Sequence, residues 1–130
     1  MPFLFLPGLY VFNFVQTEVP PMIAHAFEVT GKCVDDFDWF FFHQPNKFML
    51  QKLSEKAGLP SNKLPMNLVE NFGNPSGASI PLTMIFNCRD ELLMKKNKCC
   101  LTAFGSGLAW CTSFMDIGPF HYCGMIEASL

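Results

Sequence analysis

The chain has 130 residues, half of them apolar and 15% charged, with a formal net charge of -2. That length suits one domain with a real core, and the charge supplies neither a basic stripe for nucleic acid nor an acidic tail. Fifteen phenylalanines and eight methionines against so few charges make more apolar surface than a free-standing domain of this size needs to hide, which points to a partner.

The opening MPFLFLPGLY is apolar, but it lacks a basic flank and a small-residue cleavage site, and prolines interrupt it. It reads as an atypical N-terminal segment over residues 1–10 and not as a signal peptide. Later hydrophobic runs are punctuated by Pro, Asn, Gln, Glu or Lys before they reach membrane-spanning length. The expectation is a soluble, cytoplasmic protein with no membrane partner. Pro20 and Pro21 are placed to begin a helix, because proline at the first helical position gives up no needed donor. Met22, Ile23, Ala26, Phe27 and Thr30 then recur at helical spacing, and Gly31 is a stop signal. His25 falls on the polar side of this helix and reads as a solvated histidine.

DDFDWFFFH reads as a short buried strand that ends on His43. Asn46 is placed to cap a helix through KFMLQKLSEKAG, with Phe48, Met49, Leu50, Leu53 and Ala57 inward and Gly58 closing it. KLPMNLVE suggests another short strand, followed by the loop NFGNPSG. From Ser79 to about Lys95 a helix is expected whose Ile80, Leu82, Met84, Ile85, Leu92 and Leu93 leave little polar face. Such a helix should be buried nearly all round, as when it lies between two sheets. CCLTAFG and LAWCTSFMDI form two β-like runs around the turn Gly105-Ser106-Gly107, and residues 118–130 are a tail. This alternation of helices and strands describes a single α/β layered domain over residues 1–130.

The six cysteines include the adjacent pair Cys99 and Cys100 inside an apolar run, and no export signal accompanies them, so reduced thiols are expected. None has C-x-x-C spacing, and no histidine sits at zinc-finger spacing, so no metal site is expected. Two polar side chains stand out because each follows a predicted strand: His43 after DWFFF, and Asn74 after LVENFG. Strand ends in open α/β sheets gather in one crevice, and the backbone amides of the turn FGSG are suited to an anion-stabilising pocket beside them. Taken alone, His43 reads more readily as a capped, hydrogen-bonded histidine than as a reacting one.

DFDWFFFHQPNKFMLQKLSEKAGLP, NLVENFGNPSGASIPL and LTAFGSGLAW together resemble the C-terminal half of β-ketoacyl-acyl-carrier-protein synthase III, the condensing enzyme that starts fatty-acid elongation. The resemblance runs from about Gly8 to about Ile117. It implies the C-terminal half of a thiolase-like layered fold, a mixed, mostly parallel sheet flanked by helices. In that family the histidine of H-Q-A-N and the asparagine of G-N-T-S-A-A-S are catalytic, and the matching positions are His43 and Asn74. The family's F-G-x-G loop gives a main-chain donor to the oxyanion hole, which matches the amide of Ser106. The implied reaction is the decarboxylative condensation of an acyl thioester with a malonyl thioester. Substrates would be thioesters of acyl carrier protein or coenzyme A, with no cofactor. Two neutral donors, an imidazole N–H and an amide N–H, suit the enolate formed on decarboxylation, because neither is acidic enough to quench the carbanion.

Pro45 stands where the family usually has alanine, Pro75 where it has threonine, and Gly77 is smaller than the usual residue. Cys111 replaces a common glycine after the tryptophan and reads as a packing thiol. The family's nucleophile is a cysteine of the N-terminal half, at the start of a buried helix whose dipole favours the thiolate. None of the six cysteines lies in a matching context, and MPFLFLP appears in place of the first strand of the C-terminal half. The expectation is therefore a chain inactive alone, requiring an N-terminal synthase half or a homo-oligomer. The alternative is a non-catalytic module that keeps the fold and acts by association with a partner chain.

Overall fold

Four consecutive aromatics, Trp39–Phe42, form strand β1 in the computed structural model, which describes residues 8–128. Side chains of a strand alternate between faces, so a run apolar at every position needs cover on both. Phe40 and Phe42 join one core cluster and Phe41 the other. The first cluster is closed by helix α1 (Gly8–Thr30) and helix α2 (Lys47–Ala57), the second by helix α4 (Ser79–Met94). Between α2 and α4 lies the short helix α3 (Leu68–Phe72).

Strands β2 (Asn97–Gly105) and β3 (Ala109–Ile117) complete a three-stranded mixed sheet of order β1-β2-β3 among the described residues. β1 runs parallel to β2, with Trp39 opposite Cys99 and Phe42 opposite Thr102. β2 and β3 form the expected antiparallel hairpin, closing at Gly105 opposite Ala109. The adjacent thiols Cys99 and Cys100 fall on opposite faces of β2, in the α4 cluster and the α1–α2 cluster respectively.

Several elements differ from the sequence reading, each for a physical reason. The helix expected to start at Pro20 starts at Gly8 and runs 23 residues through both prolines. Val15, Val19 and Ile23, four residues apart, are fully buried, and this packed stripe outweighs the helical hydrogen bonds that prolines cannot donate. Asn46 caps α2 as expected, its Oδ1 accepting from the Met49 amide at 2.7 Å, and Gly58 closes it at φ 67. Phe48, however, lies off the inward stripe of Met49, Leu50 and Leu53. It is 60% exposed and stacks on Phe12.

KLPMNLVE forms no strand. Ser61–Lys63 is a single 3-10 turn and α3 begins at Leu68. Leu64 and Leu68 are both buried, but Leu64 ends the 3-10 turn at φ -123 and only Leu68 is helical, and Pro65 has no N–H to donate to a sheet. Asn67 instead pairs amide to amide with Asn87 of α4, at 2.9 and 3.0 Å.

α4 occupies its expected span but is not buried all round. Only Ser79, Thr83, Cys88 and Leu92 are buried along it, because among the described residues a sheet covers one side of it and none the other. Ile80, Leu82, Met84, Ile85 and Leu93 are half-buried, and Phe86 and Met94 are exposed. Of the atypical segment 1–10, residues 8–10 are the first turn of α1 and the rest, MPFLFLP included, lies outside the described residues. The tail has no helix or strand over residues 118–128.

Candidate active site

His43 follows directly on β1 and keeps that strand's register, its backbone N–H donating to the Thr102 carbonyl at 2.9 Å. Its Nδ1 lies 2.7 Å from Ser79 Oγ at the start of α4. The edge of one ring meets the face of the other where His43 packs on Phe104 of β2, with centroids 5.6 Å apart. Burial holds the imidazole below its ordinary value of 6.5, because a half-buried ring pays to lose water around the charged form. At neutral pH it is therefore an uncharged ring.

Asn74 follows α3 and not a strand, so the argument from two neighbouring strand ends does not describe it. The chain instead swings back through Gly73, at φ 70 and ψ −155, a conformation open in practice only to glycine. Asn74 Oδ1 accepts from the Ser76 backbone N–H at 3.0 Å, an Asx turn that fixes the amide plane. Its Nδ2 hydrogens have no partner among the described residues. Ser76 itself sits at φ 53 at the head of the single 3-10 turn Ser76–Ala78, whose last step leads into Ser79.

Ser106 lies in the tight turn between β2 and β3. His43, Asn74 and Ser106, reached from three separate stretches of chain, line one cleft of about 790 Å³. Ser79, Phe104 and Trp110 line it too. The polar groups thus gather at a wall otherwise built from apolar side chains, the usual make-up of a small-molecule site. Pro45 and Gly77, two of the unusual neighbours, border the same cleft.

Cys111 does not pack inside as expected. It is exposed on β3, in the run Ala109–Cys111 where every residue is exposed at the sheet's edge, and it borders the cleft. The six cysteines are all free. Burial pushes the thiols of Cys88 and Cys99 up to about 12 and raises that of Cys100, which keeps these three protonated and unreactive at neutral pH. His25 is exposed, 3.7 Å from Glu28. No helix among the described residues is long and apolar enough to cross a membrane.

Two residues of this site escaped the sequence reading. Ser79 reads there only as a helix start, and Phe104 only as a strand hydrophobe. The one signal for Ser79 was its position closing the run Asn74-Pro75-Ser76-Gly77-Ala78-Ser79, and nothing in the sequence pairs it with a histidine 36 residues earlier.

Comparison with known proteins identifies the family and the fold. Residues 27–117 match the family described as 3-oxoacyl-[acyl-carrier-protein (ACP)] synthase III C terminal. The chain is 34% identical over 118 residues to a β-ketoacyl-[acyl-carrier-protein] synthase III of Streptococcus gordonii, an alignment covering 88% of this chain and 36% of that protein. The namesake from the alga Porphyra umbilicalis is 33% identical over 103 residues, 79% of this chain and 31% of that one. The fold superposes on a 3-oxoacyl-(acyl-carrier-protein) synthase from Burkholderia xenovorans with a TM-score of 0.90 and 35% identity, over 95% of this chain and 35% of that one. The chain thus spans about a third of the length of the relatives it matches.

Proposed function

The chain belongs to the 3-oxoacyl-[acyl-carrier-protein] synthase III family, within its C-terminal part, and from that premise we propose that it carries the decarboxylation half of a condensing site. In this reading a malonyl thioester binds in the cleft with its thioester oxygen toward His43 and Asn74. Loss of carbon dioxide leaves an enolate, and its charge gathers on that oxygen. The neutral imidazole and the free Asn74 amide each donate a hydrogen bond to it, and the Ser106 main-chain N–H serves the oxyanion of the acyl thioester under attack. The carbanion attacks that acyl carbonyl, and the thiolate that held the acyl group departs. This chemistry requires no metal or organic cofactor.

The observation that carries the reading is the convergence of His43, Asn74 and Ser106 on one cleft. The neutral state of His43 supports it, because an imidazolium is acidic enough to protonate the carbanion before it reacts. The thiol acceptor is proposed to come from the part of the synthase outside these 130 residues, since Cys88, Cys99 and Cys100 are buried and protonated, and Cys111, although it borders the cleft, lies on a strand and not at a helix start that would favour its thiolate. We place the acyl group on acyl carrier protein or coenzyme A, and the protein in the cytoplasm.

The test mixes this polypeptide with a cysteine-bearing N-terminal half of a synthase III and follows condensation of acetyl and malonyl thioesters. The isolated chain is expected to show none and the mixture to show turnover. Asn74→Ala should then lose roughly 3 to 4 kcal/mol of transition-state stabilisation, the loss typical of one oxyanion donor. Unchanged turnover in that variant removes Asn74 from the mechanism. A second reading, a non-catalytic module that works by association, is favoured by the half-open apolar side of α4. It predicts a stable complex with the N-terminal half but no turnover.

A further inference from the structure

We propose that Ser79 is a positioning residue that fixes the tautomer of His43, so that the imidazole presents an N–H from Nε2 toward the cleft. The inference rests on the functional reading above for its purpose, but not for its geometry. Neutral imidazole carries one proton, on either nitrogen, and the hydrogen bond made by one nitrogen decides the role of the other. Nδ1 of His43 and Oγ of Ser79 are 2.7 Å apart, so one of the two must donate.

The Ser79 hydroxyl decides which. Ser79 is 1% exposed, so its proton has no ready access to water. Its Oγ has no hydrogen-bond partner among the described residues other than His43 Nδ1. If Nδ1–H were the donor, the serine proton would be buried with nothing to accept it, at the cost of an unmade hydrogen bond. If the hydroxyl donates to Nδ1, both groups are satisfied and the ring proton is on Nε2. Only that tautomer makes His43 a donor to an enolate oxygen.

The backbone holds Ser79 where this requires. Its N–H donates to the Ser76 carbonyl, closing the Ser76–Ala78 turn, and its carbonyl accepts from Thr83 Oγ1 at 2.7 Å. The same turn supplies the Ser76 amide that orients Asn74. One six-residue stretch, Asn74 to Ser79, therefore orients both donors, which gives a reason for its compact Pro-Ser-Gly-Ala spacing.

The experiment is solid-state nitrogen NMR of the full chain labelled at histidine, a measurement indifferent to self-association. His25 and His121, both exposed, are replaced together by glutamine so that His43 alone gives imidazole signals. The expected spectrum at neutral pH shows a protonated Nε2 and an unprotonated, hydrogen-bonded Nδ1. Ser79→Ala should weaken the Nε2–H preference about tenfold, the scale of one hydrogen bond, and Ser79→Thr should restore it. A protonated Nδ1 in the unsubstituted serine form overturns the inference and needs no variant to fold.

In the reconstituted enzyme Ser79→Ala should lower kcat about tenfold with KM little changed, and Ser79→Thr should recover it. Full activity in Ser79→Ala, with the tautomer shifted, also overturns the positioning role. Failure of the functional reading shows differently: His43→Ala would leave turnover intact whatever the spectrum reports.

Discussion

His43 owes its chemistry to partial burial, which takes water from the imidazolium but leaves the neutral ring satisfied by Ser79. Its folded-state value lies below the ordinary 6.5, so the neutral ring's stabilising contribution is present above about 6.5 and is lost as pH falls through the lower folded value. A proton-detected titration of His43 is expected to give a midpoint below 6.5, and a midpoint at or above it contradicts the burial argument. The buried thiols act at the other end of the scale. Cys88 and Cys99 have ordinary values of 9.0 raised to about 12, so between those limits the unfolded chain ionises and the folded one does not. Their neutral forms cost nothing below about pH 9, and stability then falls as pH rises toward 12, by at most about 1.4 kcal/mol per pH unit for each thiol. Chemical denaturation at pH 8 and pH 10.5 should show this loss, and replacing both cysteines with alanine should flatten the slope even though it lowers stability at pH 8.

Among the elements, α2 is the one whose two ends, the Asn46 cap and the Gly58 stop, fall where the sequence places them. The Asn46 cap and the Gly58 stop act through contacts within four positions, and such local chemistry is legible in a sequence. Asn46→Ala should cost about 1 kcal/mol, the usual value of a lost N-cap, read as a shift in denaturant midpoint without a change in slope. The cap also follows Pro45 and Gln44, whose Nε2 donates to the Phe42 and Pro65 carbonyls, so this turn carries His43 as well as α2. α1 and the expected strand over KLPMNLVE show where local rules lose. Two prolines mark a helix start only if nothing upstream packs, and the buried stripe Val15, Val19 and Ile23 does pack. A short apolar run with one proline is equally consistent with strand or helix, and here the helix begins only at Leu68, after Leu64 and Pro65.

At the scale of the whole molecule, β1 is covered on both faces, whereas only one side of α4 meets a sheet among the described residues. Phe86 and Met94 on α4 are exposed, as are Tyr122, Met125 and Ile126 of the tail, and apolar side chains left in water favour association where they meet in one patch. The isolated 130-residue chain is expected to self-associate and to bind a hydrophobic dye, and co-expression with the N-terminal half of a synthase III should suppress both. A monodisperse monomer by light scattering, with no dye binding, contradicts this. The sequence alone determined the α/β class, the β1 strand, the capped α2, the terminal hairpin and the family, because each rests on local periodicity, on caps and turns, or on motifs read in order. It also singled out His43, Asn74 and Ser106. Only the tertiary structure decided that these three border one cleft, that Asn74 is oriented by the turn after a helix, and that Ser79 is the partner of His43. Those facts depend on pairings between residues tens of positions apart, and no periodicity or spacing along a chain encodes which distant side chains the packed layers bring within hydrogen-bond reach.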